Sequence, residues 1–71
     1  MSGDFDIVNV VQMVNGERKY GLLLKRKSTT DNPHWEFVAF GNLRSYVRSR
    51  DRNLIEQVPM SMIKFVDRVR V

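Results

Sequence analysis

Residues 7–27 read IVNVVQMVNGERKYGLLLKRK, two β-favouring runs on either side of Asn15-Gly16. That dipeptide tolerates positive φ at both central positions of a two-residue type I′ turn and is the strongest hairpin signal in the chain. A hairpin centred there pairs Val14 with Glu17 and predicts Val11 opposite Tyr20, Asn9 opposite Leu22 and Ile7 opposite Leu24. One face then collects Phe5, Ile7, Val11, Met13, Tyr20, Leu22 and Leu24 as the core candidate. The other sets Asp6 against Lys25 and Asp4 against Lys27, pairs worth at most about 1 kcal/mol each.

That second face also carries Val8, Val10 and Leu23, more apolar material than a solvated sheet face normally shows. Two readings account for it. Either the chain curls so that both faces are covered, as in a small barrel, or Val8, Val10 and Leu23 form a protein interface, a homodimer being one form of it.

Beyond the hairpin, Ser28–Pro33 (STTDNP) reads as a turn-rich loop and His34–Phe40 (HWEFVAF) as a second strand region. If Gly41-Asn42 is a second tight turn, Phe40 faces Leu43, Val38 faces Ser45, Phe37 faces Tyr46 and Trp35 faces Arg48. Val38, Phe40, Leu43 and Val47 then suit a core, while Trp35, Phe37 and Tyr46 lie beside Arg44, Arg48 and Arg50. A helix over residues 43–57 competes, because Asn42 could cap it, Pro59 could end it, and Leu43, Val47, Leu54 and Val58 recur near helical spacing. Against it, Ser45, Val47, Ser49, Asp51 and Asn53 are mediocre helix formers and Arg50 would enter the apolar stripe. A strand, a turn near Asp51–Asn53 and a further strand over Leu54–Val58 fit better. The remaining stretch predicts a short helical turn after Pro59 and a closing strand with Ile63, Phe65, Val69 and Val71 on one side.

The expected fold is a single domain over residues 1–71, mainly β. In outline it resembles an SH3-like barrel of about five antiparallel strands with a short helical turn near 59–63. The alternative is an α+β arrangement, an antiparallel sheet with one helix at about 43–57. No residue motif identifies a family, and such barrels host many unrelated functions.

Seventy-one residues suffice for one small core and exclude a second. The absence of cysteine removes disulfides, thiolate nucleophiles and Cys-ligated zinc or iron–sulfur sites. The N-terminal MSGDFD carries acids where a signal peptide needs bases, and no apolar run approaches the roughly 20 residues of a membrane span. The cytosol is the expected address, with no membrane partner.

Enzyme readings fare badly. His34, Glu36 and Asp31 could offer three metal ligands, but H-x-E without a downstream P-C-x-x-C is a weak pattern, and an exposed strand histidine is the simpler reading. Asp4 and Asp6 are each offered a lysine by the hairpin register. Gly3, Gly16, Gly21 and Gly41 are too scattered to cradle phosphate, and no Ser-His-acid constellation can be placed. No catalytic residue, metal or cofactor is expected.

Charge is more informative. Lys plus Arg number 12 against 8 Asp plus Glu, for a formal net charge of +4. Residues 44–52 concentrate it, with Arg44, Arg48, Arg50 and Arg52 against Asp51 alone. Arginine grips phosphate or carboxylate with two hydrogen bonds and lies flat on a ring or a base. On a strand Arg44, Arg48 and Arg50 share a face; on a helix Arg44, Arg48 and Arg52 recur every four residues. In the strand reading they interleave with Trp35, Phe37 and Tyr46, the combination used by single-stranded nucleic-acid platforms. The candidate site is therefore Trp35, Phe37, Arg44, Tyr46, Arg48, Arg50 and Arg52, in a non-enzymatic module that engages single-stranded DNA or RNA. The same rings also read as core, with a cation–π pair between Arg48 and Trp35. The alternative function is a small protein-interaction module, an inhibitor, adaptor or assembly subunit, docking on an acidic or apolar protein surface. A compact chain of this kind also fits a virus-encoded or operon-encoded accessory protein.

Overall fold

A computed structural model describes residues 7–29 and 31–70. The expected roles of Phe5, Asp4, Asp6 and Val71 fall outside the described residues. The chain forms five strands, β1 (Ile7–Met13), β2 (Arg18–Lys27), β3 (His34–Ala39), β4 (Ile55–Pro59) and β5 (Ile63–Arg70). They make one antiparallel sheet in the order β4-β3-β2-β1-β5. A 3₁₀ turn at Met60–Met62, led by Pro59, joins β4 to β5. The five antiparallel strands and the helical turn after Pro59 are as expected for a mainly β domain, but the sheet is not closed into a barrel, since no ladder joins β4 to β5 among the described residues. A short helix, α1 (Leu43–Ser49), follows a 3₁₀ turn at Phe40–Asn42 and belongs to the α+β alternative.

The first hairpin forms where Asn15-Gly16 puts it, with a register one residue from the expected one. Asn9 pairs with Gly21, Val10 with Tyr20 and Val11 with Lys19. The loop has three residues rather than two: the Met13 N–H donates to the Glu17 carbonyl at 2.8 Å and the Gly16 N–H to the Met13 carbonyl at 3.0 Å. Gly16 takes a φ of 95° and no other loop residue is positive, as in the common three-residue loop closed by a glycine bulge. Because side chains alternate with period two, this single step turns Tyr20 away from Val11 and out of the expected core face.

Apolar residues are buried on both faces of the sheet. Val11, Met13, Phe37 and Val58 form an inner cluster joined by Leu23, Ala39, Met62 and Ile63. Val8, Val38 and Leu43 form an outer one joined by Leu22, Leu24, Tyr46, Ile55 and Val69. Strand alternation puts Phe37 and Val38, like Val11 and Val8, on opposite sides. The curled sheet closes over the inner cluster and α1 covers the outer one. The reading of Val8, Val10 and Leu23 as an exposed interface is thereby corrected: Val8 and Val10 are buried, and Leu23 packs against the inner cluster. Gly21 sits opposite Ala39 on β3, its neighbours leaving no room for a side chain.

The second expected hairpin does not form. Gly41-Asn42 ends a 3₁₀ turn whose last N–H, that of Leu43, donates to the Phe40 carbonyl, and the chain continues into α1. Leu43 and Tyr46, one turn apart, bury against the outer cluster, and that burial outweighs the weak helix propensity of the segment. The Ser49 hydroxyl donates to the Ser45 carbonyl at 2.8 Å. Arg50 ends the helix in the left-handed region (φ 55°), its N–H donating to the Tyr46 carbonyl at 2.7 Å, so it leaves the apolar stripe instead of entering it. Asp51 accepts the Asn53 N–H at 2.9 Å, capping the 3₁₀ turn Arg52–Leu54. The turn near Asp51–Asn53 and the strand after it are therefore present, and the helix covers only the first half of residues 43–57. With 43–49 helical, β3 pairs with β4 instead, placing Trp35 opposite Val58 and Phe37 opposite Glu56.

Candidate nucleic-acid interface

Arg44 and Arg48 lie one turn apart on α1, and Arg50 and Arg52 follow at its end. All four are exposed. Nη2 of Arg52 donates to Oε2 of Glu36 at 3.3 Å, a pair in which the Arg52 side chain remains 75% exposed while that of Glu36 is 14% exposed. Lys25 stands opposite Glu36 on β2 but makes no ion pair with it, so among the described residues Arg52 is the cation that holds this carboxylate. The Arg50 guanidinium lies 5.7 Å from the centroid of the Tyr46 ring, within cation–π range. Arg44, Arg48 and Arg50 have no carboxylate partner among the described residues. Leu43 and Tyr46 hold the whole segment against the sheet, so the cations project from an anchored element.

The structure gathers the arginines and disperses the rings. Phe37 is 1% exposed in the inner cluster and cannot stack on a ligand. Trp35 lies on the same inner face, half-buried, opposite Val58 and Arg26. Tyr46 packs into the outer cluster beneath Arg50. Trp35 and Phe37 thus lie across the sheet from Tyr46, and the expected aromatic platform beside Arg44, Arg48 and Arg50 does not form. The pairing of Arg48 with Trp35 is replaced by that of Arg50 with Tyr46.

Sequence reasoning missed other surface residues. Phe40 and Val47, expected in a core, are about half exposed, Phe40 in the 3₁₀ turn before α1 and Val47 on α1 beside Arg48 in the chain. On α1, Arg44, Val47 and Arg48 share a face, a stripe legible only once the segment is read as a helix. Arg68 and Arg70 share one face of the edge strand β5, a strict alternation readable in the sequence. Tyr20 and Phe65, both expected to face inward, are half exposed on the outer face of the sheet.

His34 is buried rather than exposed. Its Nδ1 donates to the Asn32 carbonyl at 2.6 Å, and because a carbonyl can only accept, that contact holds the ring proton on Nδ1. The described residues contain no group of three or more His, Cys, Asp or Glu arranged to hold a metal. Lys19 donates to Oε2 of Glu56 at 2.9 Å. That hydrogen bond, with the Glu56 and Glu17 charges, raises its pKa above 10.5 against the opposing effect of burial. No helix among the described residues is long and apolar enough to cross a membrane.

No family model, curated protein or solved structure matches the chain, so the functional reading rests on this geometry.

Proposed function

We propose that the chain is a non-enzymatic binding module that engages nucleic acid through Arg44, Arg48, Arg50 and Arg52. One observation carries the reading: Arg44, Arg48 and Arg50 stand exposed and without a carboxylate partner among the described residues, on a segment anchored by Leu43 and Tyr46. Phosphate contacts supply the affinity, each displacing condensed counterions. Three such contacts to a single strand give a slope of about −2 in log affinity against log salt. A labelled oligonucleotide titrated at several salt concentrations measures it. The double variant Arg44→Ala/Arg48→Ala flattens that slope by about 1.4, and absence of binding at low salt refutes the proposal.

A second reading is favoured by the exposure of Phe40 and Val47 beside the same arginines. Apolar anchors next to arginine are typical of protein interfaces, and the partner here would be an acidic protein surface. Phe40→Ser separates the two: it weakens a protein contact centred on that ring and leaves the salt slope with an oligonucleotide unchanged.

A further inference from the structure

Away from α1, the outer face of the sheet is open. The pairings of β1 set two rows across it, Tyr20–Val10–Asp67 and Arg18–Gln12–Phe65. With Val69 they line a shallow groove of about 190 Å³. Val10 is its buried floor, and the rings of Tyr20 and Phe65, 48% and 50% exposed, rise from the strands on either side. The main-chain groups of β1 are committed to ladders with both neighbours, so an occupant meets side chains only. Gln12 Oε1 accepts Arg18 Nε at 2.8 Å, which orients the guanidinium and leaves its terminal nitrogens without a carboxylate among the described residues.

Asp67 stands in this face with no cation paired to it among the described residues; its Oδ1 accepts only the Arg68 N–H, at 3.2 Å. It repels an anion from the middle of the groove. Arg68 and Arg70 project from the reverse face of the same edge strand, so the cation available to an anion on this face is Arg18, which lines the groove from β2. Flat rings on either side and the Arg18 guanidinium beside them match the polarity of a nucleotide, whose base is flat and uncharged and whose phosphate is anionic. We infer that the outer face of β1, β2 and β5 is a stacking site for unpaired nucleobases, an inference that rests on the nucleic-acid reading above and adds to it a preference for single strands, since a duplex hides its base faces.

The test compares binding of a labelled oligothymidylate with that of a duplex of equal length. The single strand binds more tightly to the wild type. Tyr20→Leu and Phe65→Leu, which keep apolar contact without a flat face, each lower single-strand affinity roughly fivefold or more, leaving duplex affinity and the salt slope unchanged. Tyr20→Phe retains wild-type affinity, and circular dichroism establishes that each variant is folded. Leucine variants that are folded and bind the single strand as well as the wild type overturn the stacking site and leave the arginine reading standing. Binding that needs Tyr20 and Phe65 but not Arg44 and Arg48 sustains the stacking site and overturns the arginine reading. A wild type that binds no oligonucleotide at low salt overturns both. Sedimentation showing a dimer that Phe65→Lys dissociates assigns the face to a second copy and likewise overturns the inference.

Discussion

Replacing Gly21 by alanine tests the packing between β2 and β3 with a single methyl group. A Cβ built there overlaps the Val38 carbonyl oxygen, lies 2.7 Å from Cζ of Phe37 and 3.0 Å from Cα of Ala39. Two of these atoms belong to the backbone of β3, which the ladder holds opposite Gly21. The third belongs to a ring that is itself enclosed in the inner cluster. None can rotate away, so the cost falls at the upper end of the overpacking range, about 3 kcal/mol or more. A domain of this length has a total stability of only about 4–11 kcal/mol. With an m-value of about 1 kcal/mol/M, the urea midpoint should fall by about 3 M. Emission of Trp35, the single tryptophan, reports the transition. Gly41→Ala is the control: no atom lies within 4 Å of its Cβ and its φ is not positive, so its midpoint should stay unchanged or rise by up to about 1 M, the gain that Gly→Ala brings through the unfolded chain. Equal midpoints for the two variants would show that the strands do not approach as described.

Lys19 carries a pH prediction. Its raised pKa, due first to the hydrogen bond with Glu56, means that its contribution is complete below 10.5 and is lost as pH climbs through the higher folded value. Denaturation midpoints above pH 10.5 should therefore fall more steeply for the wild type than for Lys19→Met, by no more than about 1 kcal/mol for so accessible a pair; parallel profiles would contradict this. Glu36→Gln removes the carboxylate bound to Arg52 and should raise oligonucleotide affinity at low salt roughly twofold to fivefold, whereas lower affinity would mean that Glu36 positions the arginine for binding. Because Trp35 lies across the sheet from α1, its emission should be insensitive to bound oligonucleotide. Strong quenching would move the nucleic acid to the inner face.

The hairpin at Asn15-Gly16 was legible because the dipeptide favours positive φ. Its register was not, since two-residue and three-residue loops over the same residues differ by one step and period-two alternation turns that step into an exchange of faces for Tyr20. The excess apolar content at Val8 correctly demanded cover on both sides of the sheet. That the cover is α1 was hidden, because Ser45, Val47 and Ser49 argue against a helix that Leu43 and Tyr46 secure only through tertiary burial. Arg44, Arg48, Arg50 and Arg52 fall close together under either secondary structure, which is why their exposure on one short segment was legible. The place of the rings was not, since their location depends on which distant segment pairs with β3, and local spacing carries no information about that.

The place of β1 between β2 and β5 has a consequence for how the domain is made. Val8 meets Val69, so β1, an interior strand of the sheet, acquires its second neighbour only when the end of the chain arrives. The hairpin with β2 is local and closes within microseconds, but docking β5 requires closing a loop that contains every other element, a slower event. A nascent chain still lacking Ile63–Arg70 presents one unpaired margin of β1, with Val8 and Val10 uncovered beside it. Truncation before β5 therefore yields an aggregation-prone edge rather than a smaller stable domain.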